Sequence, residues 1–340
     1  MAINLRSLGK TSRREVLKLG ATGLAAAALL PRRSRAADVI TMKLGSDSPD
    51  NHPYNVGLAA WKEEIEKASS GRIQCKIYPN AQLGGEEDMT NGLKIGAIDG
   101  MFASTGVITP FLPEIGIFDL PFLFKDRDHV LRAANGPIAA RYNTKIEDQI
   151  GADVLGWRTL GSRNMWNSRR PIVTPADVKG LKMRVQSSNI QQATYLAFGA
   201  LPATVPFVEV YTSMQTKVVD GADIGIADII PLKFYQVTKY MSMTRHFYIM
   251  NPLYVSKRFL STLEEADRTI VRDAGTKCLE ACQAAADNIE HNGIAFLRGK
   301  GLEINESIDL GPFRKTTARV ITDNTPQLGG QEFIDKVMAA

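Results

Sequence analysis

Two arginines near the middle of the chain, Arg163 and Arg184, are the residues whose type and placement best suit chemistry. Leu181, Met183 and Val185 alternate with Lys182, Arg184 and Gln186, which is the period of a strand. Ser187, Ser188 and Asn189 follow, and such residues cap the helix that comes next. Arg184 therefore belongs at a strand end, just before a helix N-terminus. Open α/β sheets bind ligands outside the carboxyl ends of their strands. A guanidinium placed there, beside backbone amides and a helix dipole, suits a carboxylate. The competing reading is a solvated strand arginine that binds nothing. Arg163 lies in GSRN, just past the end of a strand read at Val154 to Thr159. Two guanidiniums converging on one cleft would clamp a carboxylate, and Phe207, after a proline at a further strand end, would supply an apolar wall.

Catalysis has little to work with. No GxSxG, HExxH, phosphate-binding loop or dinucleotide glycine pattern occurs beyond the first residues. Of the four histidines, His129 and His291 fall on helical stretches with charged neighbours and are expected to be solvated. His52 follows the first strand and could face a cleft, but no nucleophile or oxyanion device accompanies it. The three cysteines, Cys75, Cys278 and Cys282, form no CxxC and no metal-type cluster with histidine, so buried or free thiols are expected. No cofactor motif is present.

The elements that must position the arginines read as two α/β units. Strands at Ile40–Gly45, Ile73–Tyr78 and Ile98–Phe102 alternate with helices at Val56–Ser69 and Glu86–Gly96. A helix at Asp126–Asn135 precedes the Val154 strand. The second unit runs through strands at Leu181–Val185, Ala203–Phe207 and Val218–Ile226, with helices at Asn189–Phe198 and Val208–Lys217 between them. The chain returns through His246–Tyr254, and a long helix follows to about Arg298, with Thr262-x-x-Glu265 read as its capping box. The expected architecture is an α/β protein of two lobes with a cleft between them and a long C-terminal bracing helix. Lobe I takes residues 37–160 plus about 247–310, lobe II takes 161–246, and 311–340 packs on the lobes. Hinges are expected near Thr159 and His246.

The N-terminus is read as a twin-arginine export signal. Ser12-Arg13-Arg14-Glu15-Val16-Leu17-Lys18 precedes a short alanine-rich run and a small-x-small site ending at Ala36. The run is too short and too alanine-rich to span a bilayer. Residues 1–36 hold eight Lys/Arg and one Glu, so the remainder carries 41 − 8 = 33 basic and 36 − 1 = 35 acidic residues, a formal charge of −2 against +5 for the whole chain. The basic balance belongs to the leader, and nucleic acid is excluded as a partner on that ground.

Several blocks in order, namely SSGRIQCKIYPNAQLGGEEDM, DLPFLF, PADVKGLKMRV, PFVEVYTSMQTKVVDGAD and FYQVTKYMSMTRH, resemble the substrate-binding proteins of TRAP (tripartite ATP-independent periplasmic) transporters. The resemblance implies a periplasmic, type II-like fold whose cleft closes on an organic acid. It also implies delivery to the membrane subunits of an ion-gradient-driven transporter. By position it makes Arg184 the carboxylate-binding arginine and Arg163 its support. It adds Ser187, Phe207 and Asp223 to the ligand set, with Asp47, His52 and Ser104 on first-lobe loops. Where many members carry asparagine after the VVDGAD block, this chain has Ile224, which cannot donate a hydrogen bond. With an acid such as Asp47 at the far end, a hydroxylated monocarboxylate such as a sugar acid is the expected cargo. A ligand-presenting subunit for a sensor, or an exported enzyme, are the alternatives, and the chain is expected to be a monomer or a homodimer.

Overall fold

The structure is a computed structural model and describes residues 39–340. The export-signal reading lies outside the described residues. Among these, no helix is long and apolar enough to cross a membrane.

The first unit runs β1 (Ile40–Gly45), α1 (Pro53–Ala68), β2 (Ile73–Tyr78), α2 (Glu86–Ile95) and β3 (Gly100–Phe102). Both β2 and β3 pair with β1 in parallel. Alternation does here what the sequence requires: Met42 and Leu44 of β1 are fully buried, as are Ile73 and Cys75 of β2, while Gln74 and Lys76 face water. His52 caps α1 by accepting from the Tyr54 amide, and Pro53 opens the helix, where its missing N–H costs nothing. Three short helices follow, α3 (Thr105–Ile108), α4 (Arg127–Ala133) and α5 (Ala139–Ile150). His129 lies on α4 but is buried: its Nε2 lies 2.9 Å from the Val337 carbonyl and its Nδ1 accepts from the Lys125 amide, so the expectation of a solvated ring fails. A histidine among charged neighbours can still bury its ring when both nitrogens find backbone partners.

Two long strands join this unit to the next. β4 (Ala152–Asn167) runs antiparallel to the later β8, and the structure thereby corrects the position of Arg163, which sits inside the strand rather than past its end. Register shifts fall between Thr159 and Ser162 and between Arg163 and Met165. Such bulges bend a strand and re-aim its side chains. Gly161, with φ +93°, occupies one of them.

The second unit contains β5 (Lys182–Val185), α6 (Asn189–Ala197), β6 (Leu201–Thr204), α7 (Val210–Gln215), β7 (Gly221–Ile224) and α8 (Ile226–Ile229). β5 pairs in parallel with β6 and β7, which leaves Met183, Arg184 and Val185 buried. Ser188 caps α6 by accepting from the Gln191 amide, as its type and place suggest. β8 (Tyr240–Ser256) then returns across both halves, giving the sheet order β2-β1-β3-β8-β4-β7-β5-β6 with a short β9 (Glu303–Asn305) on β8. The result is a mixed α/β sheet in two lobes.

After α9 (Lys257–Ser261), the brace helix α10 (Glu265–Gly299) packs along α1. A Cβ on Gly57 would lie 2.8 Å from the Cys278 carbonyl oxygen, so glycine permits that close approach. Trp61 donates its indole N–H across the seam to the Val271 carbonyl. Cys75, Cys278 and Cys282 are buried free thiols. The capping box at Thr262-x-x-Glu265 does not form: the N-cap is Glu264 without a side-chain bond, and the Thr262 hydroxyl donates backward to the Phe259 carbonyl of α9. The short helix before it claims that hydroxyl first. The chain closes with α11 (Gly311–Asn324) and α12 (Gly330–Met338).

Candidate ligand cleft

A narrow inner cleft is walled on one side by Tyr54, Glu86, Ser104 and Ile249. Arg163, Arg184, Gln186, Phe207, Ile224 and Asp228 form the other wall. It opens into an outer chamber of about 680 Å³ that shares Glu86, Arg184, Gln186 and Phe207 and adds Ser187, Val107, Val205 and Val208. Of the residues expected from sequence, Arg163, Arg184, Ser104 and Phe207 meet in the inner cleft and Ser187 lines only the outer one. Asp223, Asp47 and His52 line neither.

The two arginines are in opposite electrostatic states. Asp223, fully buried, accepts Arg163 Nε at 3.1 Å and Nη2 at 2.9 Å. Burial alone would raise the Asp223 pKa, but the Arg163 guanidinium overrides it and holds the carboxylate down at about 2. Burial likewise works against the Arg163 charge, and Asp223 more than offsets it, so its pKa is raised. His246 stands 3.4 Å behind the same carboxylate, with burial lowering its pKa, and contacts the Tyr195 hydroxyl. Asp223 is thus a partner of Arg163 set back from the ligand space.

Arg184 has no such partner. Its Nε donates to the Val205 carbonyl at 2.8 Å, and its two Nη groups make no hydrogen bond among the described residues. Phe207 lies under the guanidinium, 5.7 Å from ring centroid to carbon. Burial, reinforced by the nearby Arg163 charge, lowers the Arg184 pKa to about 10. It stays charged at neutral pH, and its forward face is unsatisfied.

Opposite the arginines lies an acidic, hydroxyl-bearing wall that sequence reasoning largely missed. Glu86 accepts the Ser104 amide and lies 3.5 Å from the Tyr54 hydroxyl, which donates to Asn251 in a shorter bond. Burial, with Asp47 nearby, pushes the Glu86 pKa well above the ordinary range. Asp228, which also lines the cleft, has its Oδ1 3.0 Å from His52 Nε2, so His52 stands behind it. Asp47 is buried behind it as well, bonded to the Ser48 hydroxyl and with its pKa raised by burial. Its Oδ2 finds no partner. The missed signal was GGEEDM: Glu86 and Glu87 begin α2 as neighbours, which places one facing in and the other at the rim. At the rim the Ser187 hydroxyl donates to Glu87, and the Thr109 hydroxyl donates to the Ser187 carbonyl at 2.9 Å. Both bonds tie the end of β5 to the other lobe. Among the described residues no group of three or more His, Cys, Asp or Glu is placed to hold a metal ion.

A free guanidinium facing hydroxyl and carboxyl groups across a cleft in a two-lobed mixed sheet defines a solute-binding protein. Residues 44–325 match the model of bacterial extracellular solute-binding protein family 7, and the chain belongs to that family. It is 33% identical over 294 residues to a solute-binding protein of Verminephrobacter eiseniae, covering 86% of this chain and 88% of the other. A TRAP periplasmic solute binding protein from Polaromonas sp. JS666, solved with D-erythronate, matches with a TM-score of 0.85 at 34% identity, covering 88% of this chain and 99% of that one. One from Bordetella bronchiseptica, with density assigned as pantoate, matches with a TM-score of 0.84 at 31% identity over 88% and 98%. The family is one of transport proteins rather than enzymes, and TRAP solute-binding proteins are periplasmic.

Proposed function

We propose that this protein captures a hydroxylated monocarboxylate, a sugar acid in the best case, and delivers it to the membrane subunits of a TRAP transporter. The observation that carries the reading is Arg184, a buried guanidinium whose Nη groups make no hydrogen bond among the described residues. Buried charges are paired in native folds, so the missing anion is the ligand. Charge accounting narrows its class. Arg163 is neutralised by Asp223, which leaves Arg184 as the anion site. A second ligand carboxylate would meet the Asp228 carboxylate, whereas hydroxyls would find acceptors along that wall. Three structural relatives support this class, with D-erythronate, with density assigned as pantoate, and, in a sugar acid binding protein from Advenella mimigardefordensis, with galactonate, while one from Sulfurospirillum deleyianum carries succinate. The lobes would close by flexing β4 and β8 at the bulges near Thr159 and opposite His246, with lobe I at 37–160 and about 247–310 and lobe II at 161–246. Residues 1–36 would serve as a twin-arginine export signal.

The test is a calorimetric titration of D-erythronate, galactonate, succinate and erythritol into wild type and Arg184→Ala. Acid binding that Arg184→Ala weakens at least a hundredfold, with succinate weaker and erythritol silent, supports the reading. Tighter binding of succinate than of both sugar acids defeats the monocarboxylate assignment, and full affinity in Arg184→Ala defeats the clamp.

A further inference from the structure

Gln186, two after Arg184, is not among the site residues expected from the sequence, yet it lines both the inner cleft and the outer chamber and is 6% exposed. Its side-chain amide is fixed by its surroundings. Gln186 Oε1 faces three donors: Arg163 Nη1 at 3.0 Å, Gln191 Nε2 at 3.1 Å and the Ser104 hydroxyl at 3.4 Å. A guanidinium cannot accept a hydrogen bond, so the carbonyl end of the amide must be the end that meets Arg163. Gln191 is oriented in turn, because its Oε1 accepts the Gln186 backbone amide and its Nε2 also donates to Asp119. The Gln186 Nε2 group is left over. It makes no hydrogen bond among the described residues and is not among the atoms sealed from solvent without a partner. A donor that is pinned at its other end and bounded by the cleft is pre-organised for a ligand acceptor.

We infer that the Gln186 side-chain N–H₂ is a ligand donor, binding the same carboxylate that Arg184 holds and standing in for the donor that Ile224 cannot provide. The inference rests on the acid-binding reading above. Ile224 lines the inner cleft and is apolar, so that position offers no side-chain hydrogen bond. Gln186 also spans the lobes: its Oε1 joins Arg163 of the second lobe to Ser104 of the first, and a Cβ on Gly106 would lie 2.3 Å from it. Two of the three bonds on Oε1 lie within the second lobe, and closure adds the third from Ser104.

The experiment compares Gln186→Met and Gln186→Glu with wild type by calorimetry against D-erythronate and galactonate, with urea unfolding of each unliganded variant. Gln186→Met removes both ends of the amide. Gln186→Glu keeps oxygen acceptors for Arg163, Gln191 and Ser104 while removing the donor and adding a negative charge, so its weaker binding counts for the inference only together with a loss in the uncharged Gln186→Met. Gln186→Glu should keep the wild-type unfolding midpoint to within experimental scatter, Gln186→Met should lower it because buried Arg163 and Gln191 donors lose their acceptor, and both should bind the acids about ten- to a hundredfold more weakly, the range for one hydrogen bond to a charged group. Loss in Gln186→Met with full affinity in Gln186→Glu would reduce Gln186 to an acceptor that holds Arg163, and overturn the inference. So would affinity within twofold of wild type in both. If wild type itself binds no acid, the functional reading falls first; if Arg184→Ala loses binding while both Gln186 variants keep it, only this inference falls.

Discussion

Replacing Asp223 with asparagine separates a ligand contact from a structural counter-ion. The sequence comparison placed Asp223 in the ligand set, whereas its carboxylate is fully buried behind Arg163 and closes two hydrogen bonds with it. Asparagine keeps one acceptor oxygen but removes the charge, leaving a buried guanidinium uncompensated. Breaking one partner of a buried pair typically costs about 3–5 kcal/mol. The depressed acidity gives a second route: a fall from 3.8 to about 2 is close to two units, or roughly 2.5 kcal/mol at 1.36 kcal/mol per unit. Both are large against a total stability on the order of 5–15 kcal/mol. The sign with pH follows from the direction of the shift. Because the folded-state pKa lies below the unfolded value, the contribution is complete above pH 3.8 and disappears as pH falls toward 2. Urea unfolding at pH 7 should therefore show Asp223→Asn less stable by about 3 kcal/mol, with the gap unchanged at pH 5 and shrinking below pH 4. A variant within 1 kcal/mol of wild type at pH 7 that nonetheless loses acid binding would refute the assignment and return Asp223 to the ligand.

Further predictions follow from the cleft and from the brace helix. A Cβ on Gly106 would lie 2.3 Å from Gln186 Oε1 and 2.9 Å from Gln191 Nε2, so Gly106→Ala should block closure. Titration should find acid affinity reduced at least tenfold, while the unliganded melting temperature changes by no more than a few degrees. Glu290 on α10 fills the space where a Gly161 Cβ would sit, and burial raises its pKa to about 7, against the opposing pull of Arg127. An acid with a raised folded-state pKa costs the fold nothing below pH 4.5 and its full penalty above pH 7. Glu290→Gln should then be the more stable chain at pH 8, by up to about 2 kcal/mol after allowing for partial exposure, and equal to wild type near pH 4.5. Urea midpoints at the two pH values would decide it.

The elements were legible in the sequence because their signals are local. Alternation set β1, β2 and β5, and serine before Asn189 set the start of α6. The long β4 was only half visible, since Gly156 and Gly161 interrupt the pattern where the strand bulges. His129 and the Thr262 hydroxyl were misjudged for a common reason: their partners, the Val337 carbonyl and the Phe259 carbonyl, belong to a distant helix and to an earlier short one. Arg184, Arg163 and Phe207 were found because each lies at a strand end or in a distinctive block. Glu86, Tyr54 and Gln186 were not, because an acid in a helix's first turn, a tyrosine on an amphipathic helix and a glutamine in a strand each have an ordinary explanation.

What no one-dimensional pattern carries is the difference between the two arginines. Both sit in strands of the second lobe, about twenty residues apart, and by residue type they are equivalent anion binders. The fold places Asp223 opposite one and a carbonyl, Val205, beside the other. The first becomes scaffold: its charge is cancelled, and its remaining donor orients Gln186. On the proposed reading the second is the site, because its Nη groups make no hydrogen bond among the described residues and a carboxylate from outside would complete them. If both were compensated, the cleft would have no hold on a carboxylate. If neither were, it would favour a dianion and the empty fold would bear two uncancelled charges. On that reading, one cancelled and one free is the arrangement suited to a single carboxylate, and Asp223, a residue outside the cleft, sets it.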